Sequence, residues 1–339
     1  MNHEYELQTT IDDLVQTGRG ILAADESSPT IAKRFQAIGV ESTEENRRAY
    51  RSLLLTTPGL GEFISGVILF EETLTQQSDA AMLLPAAAWA QKIVPGIKVD
   101  KGKIPLALHP GDDITEGLDG LAKRLAIYRE QGARFAKWRE VYTIGEHIPS
   151  ASGIEANAEM LARYAAVCQN EGFVPIVEPE VLMDGDHSLA RCAEVTEAVL
   201  HAVFHALHRH RVALEWMLLK PSMVLPGKLQ PKASPKTVAD ATLSVLRRTV
   251  PAAVPSIHFL SGGQGPEEAT ANLNALNQGK GPSPWHLNIS YGRALQQPAL
   301  QAWGGKAEHV QAAQQALLKR ARLNSLAMRG AYLDEMENG

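Results

Sequence analysis

What most constrains this chain is a unit that recurs along its length: a short apolar run, a turn, then a longer stretch with helical spacing. Eight runs read as strands, at residues 20–24, 63–70, 104–108, 134–138, 174–178, 214–220, 256–260 and 285–290. Several are almost continuously apolar, the pattern of parallel strands buried on both faces. Helix signals fill the intervals. Ser42-Thr43-Glu44-Glu45 has the form of a capping box, with Ser42 as cap and Glu45 three residues on. Ser234-Pro235 reads as an N-cap followed by proline at the first helical position. Residues 153–170 form an alanine-rich periodic stretch that Gly172 stops, and a last helix runs roughly over 307–329.

Eight strand–helix alternations place the chain in the α/β class and point to a (β/α)8 TIM barrel. The expected organisation is one barrel domain over residues 1–339, with a helix before the first strand and a C-terminal helix and short tail. A length of 339 residues is ordinary for an α/β barrel built as one domain. A doubly wound open sheet is the alternative that alternation leaves open. No Gly-x-Gly-x-x-Gly follows the first strand, which counts against its dinucleotide-binding version.

The charge balance, 33 basic against 38 acidic residues, argues against nucleic-acid binding by bulk charge. With two cysteines, Cys168 and Cys192, no disulfide framework is possible and a reducing compartment is expected. The N-terminus shows no basic segment followed by an apolar one. The longest uncharged apolar run, residues 80–90, contains Pro85 and falls far short of the ~20 residues of a membrane span. A soluble, cytoplasmic protein without a membrane partner is the expectation.

In a barrel the chemistry gathers where strands end, because the βα loops converge on one face. Asp25, Glu26 and Ser27 follow the first run, Lys137 and Arg139 the fourth, Glu178 and Glu180 the fifth, and Lys220 the sixth. Ser261-Gly262-Gly263 follows the seventh, and Ser290-Tyr291-Gly292-Arg293 the eighth. So many charged groups facing one mouth would be costly without a function. Lys220, between Trp216-Met217-Leu218-Leu219 and Pro221, is the most informative. Desolvation and a second inward cation, Lys137, both favour a neutral amine over the ordinary ammonium of pKa ~10.4, and a neutral amine can form a Schiff base with a carbonyl. Asp25, Glu178 and Glu180 supply carboxylates for proton transfer, for pairing with these lysines, or for both. Whether Glu178 and Glu180 share a direction is left open.

Glycines after the seventh and eighth strands let backbone N–H groups approach an oxyanion, and Arg293 adds a bidentate charge, together a phosphate-site pattern. His201, His205 and His208 have helical spacing, and His201/His205 could ligate zinc. They fall mid-helix far from the strand ends, so a solvated helix face is the better reading. The cysteines show no ligand spacing.

These residues, with their neighbours, carry a specific likeness. Over about residues 21–329 the sequence resembles class I fructose-bisphosphate aldolase. The segments are Leu22-Ala23-Ala24-Asp25-Glu26-Ser27, Gly96-Ile97-Lys98-Val99-Asp100-Lys101-Gly102, Phe135-Ala136-Lys137-Trp138-Arg139, Pro175-Ile176-Val177-Glu178-Pro179-Glu180, Leu218-Leu219-Lys220-Pro221, Phe259-Leu260-Ser261-Gly262-Gly263-Gln264 and Ser290-Tyr291-Gly292-Arg293-Ala294-Leu295-Gln296. The resemblance implies a (β/α)8 barrel that reversibly cleaves fructose 1,6-bisphosphate to dihydroxyacetone phosphate and glyceraldehyde 3-phosphate, without metal or other cofactor. It implies Lys220 as the Schiff-base lysine, Glu178 as acid/base group for carbinolamine dehydration, and Asp25 as the carboxylate linked to deprotonating the C4 hydroxyl. Lys137 would stabilise charge beside Lys220, and Glu180 would support the proton network. Ser261, Gly262, Gly263, Ser290, Gly292, Arg293 and Arg34 match positions at the ketone-end phosphate, and Ser27, Lys98 and Arg139 match positions near the second phosphate.

Two departures stand out. Ser28-Pro29-Thr30 stands where animal members usually have glycine then serine at the last two positions, so Pro29 is expected to stiffen that loop. The chain ends Tyr332-Leu333-Asp334-Glu335-Met336-Glu337-Asn338-Gly339, without the long tail and terminal tyrosine of animal members. Another group would then exchange the enamine proton, or exchange would be slower. A homo-oligomer, a tetramer, is implied. The competing reading is a sugar-phosphate-binding or scaffold protein that keeps the fold without turnover.

Overall fold

Period-two alternation decides what each strand contributes. In the computed structural model, which describes residues 3–338, the strands are β1 (Gly20–Ala24), β2 (Ile64–Leu69), β3 (Val94–Lys98), β4 (Lys103–Pro105), β5 (Asp113–Thr115), β6 (Phe135–Tyr142), β7 (Val174–Val181), β8 (Leu218–Leu219), β9 (Ser256–Phe259) and β10 (His286–Tyr291). Eight of them, all parallel, close into a barrel in the order β1-β10-β9-β8-β7-β6-β3-β2, with helices between them. The fold is the (β/α)8 barrel, and the open sheet is excluded.

The two faces of each strand feed two separate cores. Outward residues such as Leu22, Ile97, Trp138, Val177, Leu219 and Phe259 pack against the surrounding helices. Inward residues Ile21, Ile68, Val94, Phe135, Val174, Ile176 and Leu218 fill the lower barrel, joined by Leu7, Ile11 and Leu14 of the helix Glu4–Leu14. Those three recur at i, i+4 and i+7, one face of a helix, so the first helix plugs the barrel floor. The interior is thus dry and apolar at the bottom, and the same inward columns turn polar towards the strand ends.

One expected strand is corrected. Residues 104–108 do not enter the barrel: Lys103–Pro105 pairs antiparallel with Asp113–Thr115 in a separate hairpin, and Leu108 is 98% exposed. The third barrel strand is Val94-Pro95-Gly96-Ile97-Lys98, whose central Pro-Gly reads as a turn. The glycine has a packing reason. A Cβ at Gly96 would stand 2.3 Å from the Phe135 ring, which fills the space beside this strand.

Smaller differences have local causes. Only Leu218–Leu219 of the sixth run is strand, because Leu214–Trp216 forms a 3-10 turn. The cap of the helix Glu44–Leu55 is Thr43, which accepts from the Asn46 N–H, rather than Ser42. The other helix signals stand. Ser234 caps the helix Pro235–Thr249, the helix Ala151–Asn170 ends before Gly172, and the last long helix spans Val310–Met328 after a 3-10 turn.

The Gly96→Ala variant should lose roughly 1–3 kcal/mol of stability through overpacking against Phe135. Urea unfolding monitored by tryptophan fluorescence measures it, and an unchanged midpoint would contradict the packing account.

Candidate active site

At the C-terminal ends of the barrel strands lies a cleft of about 880 Å³. Its wall holds every residue given a catalytic or phosphate-binding role from the sequence: Asp25, Ser27, Arg34, Lys98, Lys137, Arg139, Glu178, Glu180, Lys220, Ser261, Gly262, Gly263, Ser290, Gly292 and Arg293. The inward columns explain the convergence. On β6 the inward positions run Phe135, Lys137, Arg139, and on β7 they run Val174, Ile176, Glu178, Glu180. Each column therefore passes from apolar floor to charged rim in steps of two. Glu178 and Glu180 share a direction for the same reason.

Glu178 is the centre of the charged layer. Its Oε1 lies 3.1 Å from Lys220 Nζ and its Oε2 lies 3.3 Å from Lys137 Nζ, and all three side chains are buried. Lys137 Nζ also lies 2.7 Å from Asp25 Oδ2 and 3.9 Å from Asp100 Oδ2. One rung higher Arg139 pairs with Glu180. Burial would push the Asp25 carboxyl up, but Lys137, Lys220 and Lys98 overcome it and hold the group well below the usual carboxylate range. Burial would likewise lower Lys137. Asp25, Glu178 and Asp100 outweigh it and hold the ammonium well above the ordinary lysine value. The result is a lysine held by three carboxylates, an ionised Asp25, and a second lysine for which Glu178 is the one carboxylate within 4 Å among the described residues.

The rim supplies backbone donors. Gly262 and Gly263 both have positive φ, +52° and +95°, so successive N–H groups turn to one side as a nest. Ser290 Oγ is buried and finds no hydrogen-bond partner among the described residues. Gly292 caps the helix Arg293–Trp303, whose N-terminus therefore opens at the cleft with Arg293 as its first residue. Arg34 reaches the same wall and is held by Glu26, which also lies 2.9 Å from Arg51 and accepts from Gln296 Nε2 at 2.8 Å. After β1, the neighbour of β10 in the barrel, Ser27 caps the helix Ser28–Gln36, which carries Arg34, without a side-chain bond to its backbone, its hydroxyl 3.1 Å from that of Thr30. Pro29 belongs to this first helical turn, where proline is well accommodated, rather than to a loop. Lys98 donates to the Asp100 carbonyl at 2.8 Å.

Several cleft residues escaped the sequence reading. Asp100 continues the inward column of Gly96 and Lys98 on β3, and that alternation was the signal available. Glu26 was visible beside Asp25 but gave no hint that it anchors two arginines. Lys33, Lys101, Lys103 and Lys228 add cations to the rim from a helix, loops and the hairpin outside the barrel, with no periodic signature. His201, His205 and His208 lie exposed on the helix Leu189–Arg209, away from the cleft. Among the described residues no three His, Cys, Asp or Glu side chains are grouped to hold a metal ion.

Residues 6–339 match the family model described as fructose-bisphosphate aldolase class-I. The chain belongs to the class I fructose-bisphosphate aldolase family. It is 54% identical over 336 residues to the cytosolic fructose-bisphosphate aldolase 4 of Arabidopsis thaliana, covering 99% of this chain and 86% of that one. It is 55% identical over 331 residues to the chloroplastic aldolase 1 of Chlamydomonas reinhardtii, covering 97% and 87%. Among solved structures it resembles the aldolase of Plasmodium falciparum, crystallised with TRAP and a small-molecule inhibitor, at a TM-score of 0.96 and 51% identity. That match covers 98% of this chain and 96% of the other. Aldolase membership accounts for a cleft this rich in charge.

Behind the cleft Glu140 points outward from β6 and is fully buried, accepting from Trp138 Nε1 at 2.7 Å and the Thr115 N–H at 3.2 Å. Burial pushes its carboxyl up to about 8, against the pull of those hydrogen bonds. Between the unfolded value of ~4.3 and about 8 the folded protein binds the extra proton, so this group's contribution falls as pH rises. Glu140→Gln removes the titration. The stability of wild type relative to the variant should therefore decline by roughly 1–3 kcal/mol from pH 5 to pH 8. Denaturant unfolding at several pH values measures the slope, and a flat or rising difference would refute the assignment.

Proposed function

We propose that this aldolase reversibly cleaves fructose 1,6-bisphosphate to dihydroxyacetone phosphate and glyceraldehyde 3-phosphate through an imine on Lys220. The observation that carries the reading is the unequal pair of buried lysines. Lys137 has three carboxylates within 4 Å and serves as a permanent cation, whereas Lys220 has only Glu178 within that distance among the described residues and is the lysine assigned the nucleophile's role.

After losing a proton, the Lys220 amine attacks the C2 ketone, and the carbonyl oxygen takes up a proton to give a carbinolamine. Glu178, beside Lys220, gives a proton to the departing hydroxyl, and water leaves. The iminium at C2 then draws electrons from the C3–C4 bond as Asp25 accepts the C4 hydroxyl proton. The bond breaks, glyceraldehyde 3-phosphate departs with its new carbonyl, and an enamine remains on Lys220. Protonation at C3 and hydrolysis release dihydroxyacetone phosphate and restore the amine. Lys137 holds positive charge beside both carboxylates throughout, and Glu180 holds Arg139 in place.

The nest at Gly262 and Gly263 with Ser261, Ser290, Gly292, Arg293 and Arg34 binds the ketone-end phosphate. Ser27, Lys98 and Arg139 bind the other phosphate across the cleft. Anchoring both ends fixes the reacting carbons against Lys220 and Asp25, an orientation term that contributes several kcal/mol to such reactions. We take residues 1–339 as one domain working without a metal or other cofactor, on a phosphorylated sugar and on no nucleic acid. The cytosolic relatives support a cytoplasmic setting, and no described helix is long and apolar enough to cross a membrane. The family resemblance supports a homotetramer.

Borohydride reduction in the presence of dihydroxyacetone phosphate, followed by peptide mapping, should give one adduct, on Lys220. Lys220→Met should abolish both the adduct and cleavage while still binding inorganic phosphate, and wild-type turnover should persist in EDTA. An adduct on Lys137 would reverse the two lysine roles. Absence of turnover with phosphate binding intact would favour the binding-protein reading.

A further inference from the structure

The C-terminal segment is fastened along one helix by a regular series of polar contacts. The helix Pro266–Gly279 presents Thr270, Asn274 and Gln278 at four-residue spacing, a single stripe along its length. Gln278 Nε2 donates to the Gly330 carbonyl at 3.0 Å. Asn274 and Tyr332 bond reciprocally, the Asn274 amide donating to the Tyr332 carbonyl at 3.2 Å and the Tyr332 N–H to Asn274 Oδ1 at 3.0 Å. At the third position Arg320 donates to Thr270 Oγ1 and, at 3.0 Å, to the carbonyl of Pro266, the first residue of the helix. Glu337 closes the series. Its carboxylate accepts from Arg320 at 2.5 and 2.6 Å and from the Tyr332 hydroxyl at 2.9 Å.

The helix so fastened continues directly from the nest at Gly262 and Gly263. Gln264, also buried, donates to the Ser261 carbonyl at 3.0 Å and accepts from Asn272 Nδ2 of the same helix at 2.7 Å. An unbroken line of charge-assisted and neutral hydrogen bonds therefore runs from Glu337 through Arg320 to Pro266, and from the helix through Gln264 to Ser261. Arg320 is buried, so its guanidinium needs this carboxylate, and the pair is fixed rather than fluctuating at a surface.

We propose that residues 330–338 act as a strap that sets the position of the 261–265 loop, with Glu337 as the positioning residue for the ketone-end phosphate. The inference rests on the phosphate reading of that loop. Its consequence is asymmetric: releasing the strap loosens one phosphate site and leaves the other, built from Ser27, Lys98 and Arg139, as it was.

The condensation direction separates the two, because each substrate carries a single phosphate to a different end of the cleft. In Glu337→Ala the KM for dihydroxyacetone phosphate should rise roughly tenfold, the scale of one lost charged hydrogen bond. The KM for glyceraldehyde 3-phosphate and kcat should stay within about twofold. Glu337→Gln, which keeps an acceptor for Arg320, should fall between the two and guards against a folding defect in the alanine variant. Both KM values unchanged would overturn the strap, as would equal rises in both, which would mark general loosening. If the wild type condenses nothing, the proposed reaction fails instead. Calorimetric binding of inorganic phosphate to wild type and variant then still reads the strap, and equal affinities would overturn it.

Discussion

The sharing of Glu178 between two buried lysines is the constraint on which the rest of the site depends. Charges inside a barrel are tolerable only when paired and hydrogen-bonded, and a lone buried ion of either sign would cost several kcal/mol. Here one carboxylate serves Lys220 and Lys137, and Asp25 and Asp100 complete the balance around Lys137. That balance requires the strands in this register, with Val177 beside Leu219 on one side and Trp138 on the other. It also requires the apolar floor beneath, where Phe135, Val174 and the first helix exclude water from below. Solvent therefore meets the charges only from the cleft side, where substrate enters.

How much of this could be read from sequence follows from the same geometry. Lys137, Glu178 and Lys220 are legible because an apolar run that ends abruptly in charge has few explanations in an α/β protein. The strand Val94–Lys98 is not legible, because what places Pro95 and Gly96 in a barrel is the Phe135 ring filling the space beside them, a contact 39 residues away in the chain. The run at 104–108 was apolar enough to stand in its place. Its exposed leucine shows that apolar composition without a burying partner decides nothing. Glu26 was missed for a different reason: its role lies in the two arginines it meets, and a residue type carries no record of that.

His258 shows the limit from the other side. It stands on β9 in register with the inward row that contains Lys220, since Leu219 pairs with Ile257. Nδ1 faces the Ile289 carbonyl at 3.2 Å, which fixes the proton there because a carbonyl can only accept. Burial pushes the imidazole down to about 4, with His286 and Lys220 opposing the Ile289 carbonyl. A histidine in the same row as Lys220 could have added a further cation. In this row it is a neutral group and adds no charge to the layer.

The proposed phosphate sites draw on backbone as well as on side chains. The glycine pair Gly262-Gly263 and the N-termini of the helices Arg293–Trp303 and Ser28–Gln36 all line the cleft, after the adjacent strands β9, β10 and β1. Such donors are only as well placed as the chain that carries them, and a left-handed glycine pair is the least restrained backbone a protein has. Side chains that never meet the ligand must therefore hold it. Gln264 ties the loop to the following helix, and Arg320 with Glu337 ties that helix to the C-terminal segment. A loop free enough to wrap an anion has its precision supplied from outside itself, and in this chain the supply runs through a buried arginine some 55 residues further along.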